Sequence, residues 1–121
     1  MNTPKKNVLI TGGSKGIGRS IVDEFLQKNY NVYSISRSSP NLNHINFHPI
    51  IGDLLDSLFV QELSKKIENL NIDILVNNAG INIVNDFHEI SDFEKNQILN
   101  LNLHVPISLC QAVLRNMISQ K

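Results

Sequence analysis

The sequence predicts an open, doubly wound α/β fold, a parallel sheet with crossover helices on both faces. Three observations carry this. Apolar runs of four or five residues, too short for helices, alternate with longer stretches whose apolar residues fall at helical spacing. The runs are closed by glycine, asparagine, serine or proline, residues that end strands in turns. A glycine-rich segment lies between the first run and the first amphipathic stretch. Strands that alternate with helices must run parallel, because each helix carries the chain back to the starting edge.

Val8 to Thr11 reads as a buried strand. From Gly16 a helical stripe runs through Ile17, Ile21, Val22, Phe25 and Leu26 and ends near Asn29. Val32 to Ser36 is a second strand, followed by a loop from Ser38 to Asn43. Phe47 to Ile51 is a third, with Pro49 in its middle, a residue that sheets tolerate at edges. Leu55, Leu58, Phe59, Leu63, Ile67 and Leu70 mark a second helix, and Ile72 to Val76 a fourth strand. Ser91 with Glu94 three residues on forms a capping box. The helix it opens is expected to continue through Ile98, Leu101 and Leu103, past Pro106, to Ser119. No repeat, linker or low-complexity tract interrupts the 121 residues, which are expected to form one partial domain.

Composition narrows the partners. With 41% hydrophobic and 18% charged residues, the chain can bury a core. Eleven basic and eleven acidic side chains cancel, so the basic excess that nucleic acid or an anionic membrane requires is missing. The triplet Val8-Leu9-Ile10 is too short for a membrane span or a signal-peptide core. Cys110 is the single cysteine, so no internal disulfide can form, and a reducing compartment, the cytoplasm, is expected. It lies among apolar neighbours on a helix and reads as core. His44, His48, His88 and His104 show no ligand spacing, and no metal site is expected.

Thr11-Gly12-Gly13-Ser14-Lys15-Gly16-Ile17-Gly18 joins the first strand to the first helix. Glycines there allow a tight turn and let a phosphate approach backbone N–H groups at a helix start, where the dipole favours anions. Gly13 to Ser20 also nearly fits a nucleoside-triphosphate loop, but Arg19 stands where that loop needs its phosphate-reaching lysine.

The chain resembles the short-chain dehydrogenase/reductase family. Thr11, Gly12, Gly16 and Gly18 match its Thr-Gly-x-x-x-Gly-x-Gly, and Asn77 to Gly80 match its Asn-Asn-Ala-Gly. Asp53 matches the Asp that closes the third strand, and Asn102 the Asn of the long helix. The resemblance implies a Rossmann-like sheet, truncated after four strands and the long helix, and covers the first half of the family's usual length. It implies that Gly12, Gly16 and Gly18 shape a pyrophosphate loop, that Ser14 and Lys15 can contact phosphate, and that Ile17 supplies a backbone N–H. Asp53 would bind the adenine amino group, with Leu54 against the ring edge and Asp56 or Ser57 capping the next helix. The first asparagine, Asn77, would brace the sheet, Ala79 and Gly80 would leave space beside the adenosine ribose, and Asn78 would belong with them to the cofactor-binding set. Asn102 would act in the proton relay of catalysis. Pro106 has no N–H for the Asn102 carbonyl four residues before it, which would leave that carbonyl free.

The second strand ends Ser36-Arg37, with no carboxylate for the ribose hydroxyls of NAD(H). Arg37 offers a fork of donors and Lys15 a second positive charge, so NADP(H) is expected over NAD(H). The family's catalytic Ser and Tyr-x-x-x-Lys belong to its second half. Here the tyrosines are Tyr30 and Tyr33, with Ser34 and Arg37 four residues on. The expectation is an NADP(H)-binding portion of a carbonyl/alcohol oxidoreductase, inactive alone, which can pair with a second copy through the long helix. A non-catalytic dinucleotide-binding or interaction module, or a truncated gene product, fits the same residues.

Overall fold

Val8, Leu9 and Ile10 are fully excluded from solvent, which a strand achieves only at the centre of a sheet covered on both faces. The computed structural model describes residues 3–120. Among them β1 (Asn7–Thr11), β2 (Asn31–Ser36), β3 (Phe47–Ile51) and β4 (Ile74–Val76) form one parallel sheet in the order β3-β2-β1-β4. The period-two alternation of β1 divides its side chains between two cores. Val8 and Ile10 pack with Val32, Phe47 and the Val22 and Leu26 of α1 (Gly16–Gln27). Leu9 points the other way, into a core with Ile35, Ile50, Leu63 and Ile67 of α2 (Ser57–Glu68), and Leu109 and Val113 of α4 (Val105–Ser119). Asn29 and Asn71 take positive φ (66° and 52°) just past α1 and α2, the left-handed turn that asparagine tolerates best after glycine. Pro49 falls on β3, which among the described residues pairs with β2 alone, so its missing N–H removes no interior rung.

Two elements differ from their sequence patterns. Ile72 is buried but lies outside β4, which starts at Ile74. The Asp73 carboxylate accepts the Asn7 N–H (2.8 Å) while its own N–H donates to the Asn7 carbonyl (2.8 Å), so a side chain makes the first rung. α2 begins at Ser57 with Asp56 as its N-cap, one of the two caps expected, after the Asp56 N–H closes a turn on the Asp53 carbonyl. The long helix is not continuous. α3 (Asp92–Leu99), opened by the Ser91–Glu94 capping box, passes into a π-helical turn at Asn100–His104 before α4. There the Val105 N–H reaches the Asn100 carbonyl, five residues back. Pro106 lacks an N–H and its ring crowds the carbonyl four residues before it, so the preceding turn widens. No helix among the described residues is long and apolar enough to cross a membrane.

Candidate functional site

β1 leads through α1 on one face of the sheet to β2, and β3 leads through α2 on the other face to β4. The connections therefore diverge between β1 and β4, and a crevice opens at their carboxyl ends. A cleft of about 280 Å³ lies there.

Its floor is tied by one hydroxyl. Thr11 is buried, and its Oγ1 accepts the N–H groups of Asn78 (3.0 Å) and Ala79 (2.9 Å). Asn78 returns the link through Nδ2 to the Gly12 carbonyl (3.1 Å). The bracing asparagine is thus Asn78, not Asn77 as the motif suggested. Strand alternation turns Asn77 to the opposite side, where its amide meets Cys110 Sγ at 3.8 Å. Cys110 is exposed, contrary to its reading as core: the buried stripe of α4 runs through Val105, Leu109, Ala112 and Val113 and passes it by.

The glycine loop needs its glycines for different reasons. Gly12 and Gly16 hold φ of +72° and +60°, a region that side chains disfavour. Gly18 is buried against the Gly12 carbonyl, and a Cβ there would collide with it. Thr11, Gly16, Ile17 and Gly18 shape the loop and helix start without lining the cleft, and Ile17 is 76% exposed. Gly12, Ser14 and Lys15 line it.

The far wall comes from the ends of β2 and β3. Ser36 is buried, with its hydroxyl donating to the Ser38 carbonyl (2.8 Å), while Arg37 is exposed. Among the described residues neither Lys15 nor Arg37 joins an ion pair, so both charges are available to an anion. Asp53 and Leu54 line the cleft with Gly52 and Leu55. The two aspartates are divided in role. Asp56 Oδ1 caps α2 through the N–H groups of Leu58 (3.0 Å) and Phe59 (3.4 Å), while Asp53 Oδ1 accepts the Leu55 N–H (2.9 Å) and no other among the described residues.

Asn78, Ala79, Gly80 and Ile81 close the near wall. Asn102, on the π turn, clasps Ile81 from behind. Its Oδ1 accepts the Ile81 N–H (2.9 Å) and its Nδ2 donates to the Ile81 carbonyl (2.8 Å). A Cβ at Gly80 would lie 3.1 Å from Asn102 Oδ1, so glycine here makes room for that amide. Ile35, Ile81 and Leu101 also line the cleft. They carry no polar signature, and only the position of Ile81 after the Asn-Ala-Gly run could have drawn notice.

Two other features lie apart. A shallower groove of about 780 Å³ between α2 and α4 is edged by Gln61, Lys65, Gln111 and Arg115 and contains no glycine turn or strand end. Asp86, His88 and Glu89 bring ligand atoms within 4.8 Å of one another around a short 3₁₀ turn (Phe87–Glu89). All three are exposed, an arrangement that neighbouring acidic residues adopt without an ion.

Comparison with known proteins assigns the fold. The family model described as short chain dehydrogenase matches residues 6–121. The 3-oxoacyl-acyl-carrier-protein reductase of Buchnera aphidicola from Schizaphis graminum is 31% identical over all of this chain and 53% of its own length. A short-chain dehydrogenase from Leptospira borgpetersenii, solved with bound NAD⁺, superposes with a TM-score of 0.84 at 31% identity, over 96% of this chain and 47% of its own. A 4-hydroxyisoleucine dehydrogenase complexed with NADH gives 0.86 at 27% identity, over 96% of this chain and 51% of its own. The chain spans about half the length of the relatives it matches. A Rossmann-like sheet, a glycine turn at its switch point and a family pattern running through residues 6–121 place this chain in the short-chain dehydrogenase family.

Proposed function

We propose that residues 1–121 form a partial dinucleotide-binding domain, the NADP(H)-binding portion of an oxidoreductase acting on carbonyl or alcohol groups. The observation that carries this reading is the pairing of Lys15 and Arg37 on a cleft whose β2 wall ends without a carboxylate. At about 280 Å³ the cleft suits the nucleoside end of a dinucleotide, with Asp53 and Leu54 toward the adenine and Ala79 and Gly80 beside the ribose. Ser14 and Lys15, which line the cleft, are read as the phosphate contacts, with the Ile17 N–H beside them at the start of α1, where negative charge is favoured. Arg37 supplies a planar donor fork and Lys15 a point charge for a ribose phosphate.

The nicotinamide supplies or accepts the hydride when bound. Asn102 is the one residue of this chain read as catalytic, its carbonyl holding a water in the proton relay. The 121 residues contain no Tyr-x-x-x-Lys pair, so proton transfer lacks its acid/base here, a loss of roughly a hundred- to ten-thousandfold in rate. The lone thiol, Cys110, fits a reducing compartment such as the cytoplasm. A second copy of the chain is read as pairing along the exposed apolar side of α4. The charge balance argues against nucleic-acid and membrane partners.

Calorimetric titration of the chain with NADPH and NADH tests the cofactor. NADPH is expected to bind more tightly, and Ser36→Asp to narrow or reverse the preference by repelling the phosphate. An unchanged preference would remove Ser36 and Arg37 as the selector. With a panel of carbonyl compounds, no enzyme-dependent oxidation of NADPH is expected; robust turnover would overturn the inactive half-site.

A further inference from the structure

We propose that Gly13, Val22 and Ser34 form a steric interlock that sets the height of the glycine loop over the sheet. Ser34 and Val22 are then positioning residues for the dinucleotide, a statement that rests on the reading of the cleft above.

Ser34, on β2, is fully buried, yet its Oγ has no hydrogen-bond partner among the described residues. A hydroxyl shut away from water without a partner is penalised, so hydrogen bonding does not account for it there. Contact does. Gly13, itself buried, lies directly above. A Cβ at Gly13 would run into Ser34 Oγ and come within 2.8 Å of Val22 Cγ2. The next atom, Ile10 Cγ2, stands at 3.4 Å, an ordinary contact. Unlike Gly12 and Gly16, Gly13 has no positive φ, so its backbone would accept any L-residue. Space alone demands glycine, and two side-chain tips define that space.

Neither tip yields easily. Val22 is β-branched on a helix, where one χ1 rotamer dominates. Ser34 is fully buried on β2 between its register partners, Ile10 of β1 and Pro49 of β3. The loop is tied down beside this contact by the Gly12 N–H, which donates to the Ile35 carbonyl at 2.9 Å. Added bulk under Gly13 therefore lifts the loop against that bond. It also displaces Ser14 and Lys15, the next two residues, which line the cleft.

Hydrogen exchange at the Gly12 amide reads the loop's seat without any ligand, and NADPH titration reads its consequence. Gly13→Ala is expected to speed Gly12 exchange and weaken NADPH binding by about tenfold or more, the scale of a core overpacked by one methyl. Gly13→Ala/Val22→Ala/Ser34→Ala removes both obstructing atoms and should return exchange and affinity to within about threefold of the unmodified chain, well inside that tenfold. Wild-type-like exchange and binding in Gly13→Ala, or no recovery in the triple variant, would overturn the interlock. Should Gly13→Ala fail to fold, the triple variant decides alone by the same two readouts. An unmodified chain that binds no NADPH would refute the reading of the cleft, while the exchange comparison would still judge the interlock.

Discussion

Thr11 shows how much a single side-chain atom can hold. Its Oγ1 is the acceptor for two backbone N–H groups from the strand end that forms the other side of the crevice. Valine has the same shape and no acceptor, so Thr11→Val leaves both donors unpaired in a partly buried place. We expect a loss of about 2 kcal/mol or more, since each orphaned donor costs about 1–3 kcal/mol. Urea denaturation monitored by circular dichroism would measure it, and a change under 0.5 kcal/mol, the scale of an ordinary surface substitution, would mean that water replaces the hydroxyl. The glycine loop was legible in the sequence because its chemistry is local: eight consecutive residues between a strand and a helix. The Thr11 clasp was not, because its partners lie 67 and 68 residues away. Nor were Ile35 and Leu101, since an apolar residue on a cleft wall reads like an apolar residue in a core.

At the scale of elements, the start of α3 is written within four residues, Ser91 accepting from the Glu94 N–H at 3.1 Å. The same turn carries an acid-sensitive ion pair. Asp92 and Lys95 meet at 2.7 Å, and the hydrogen bond from Lys95 with its charge holds the Asp92 carboxyl below its ordinary 3.8. A carboxyl lowered in the folded chain stabilises it above the unfolded value, and that contribution disappears as pH falls through the folded one. Carboxyl-carbon NMR should therefore show Asp92 titrating below 3.8, and Lys95→Met should move the midpoint upward. A midpoint unmoved by the substitution would show that solvent already screens the pair. The π turn was hidden from sequence. The apolar stripe runs unbroken from Ile98 through Leu101 to Val105, and Pro106 announces a disturbance without saying whether the helix kinks, breaks or widens.

For the whole molecule, exposed hydrophobic surface sets the behaviour. Leu103, Ile107, Leu114 and Ile118 follow one another at helical spacing along one side of α4 and its preceding turn, each about half exposed or more. β4 bonds only to β1 among the described residues, leaving its other edge unpaired. We expect sedimentation velocity to show concentration-dependent association, and Leu103→Lys/Ile107→Lys to shift the chain toward monomer. A wild-type chain that stays monomeric at high concentration would dismiss the paired form.

The crevice also has a history within each folding event. Its two lips, at Gly12 and Asn78, are 66 residues apart along the chain, and they meet only when β4 docks against β1. That pairing closes a longer stretch of chain than the β1–β2 or β2–β3 pairings, so it bears the greatest loop-closure entropy and belongs late in assembly. A nucleotide seated across the lips would favour only chains that have completed this last step. It would act as a wedge against reopening, slowing the departure of β4 in proportion to its occupancy.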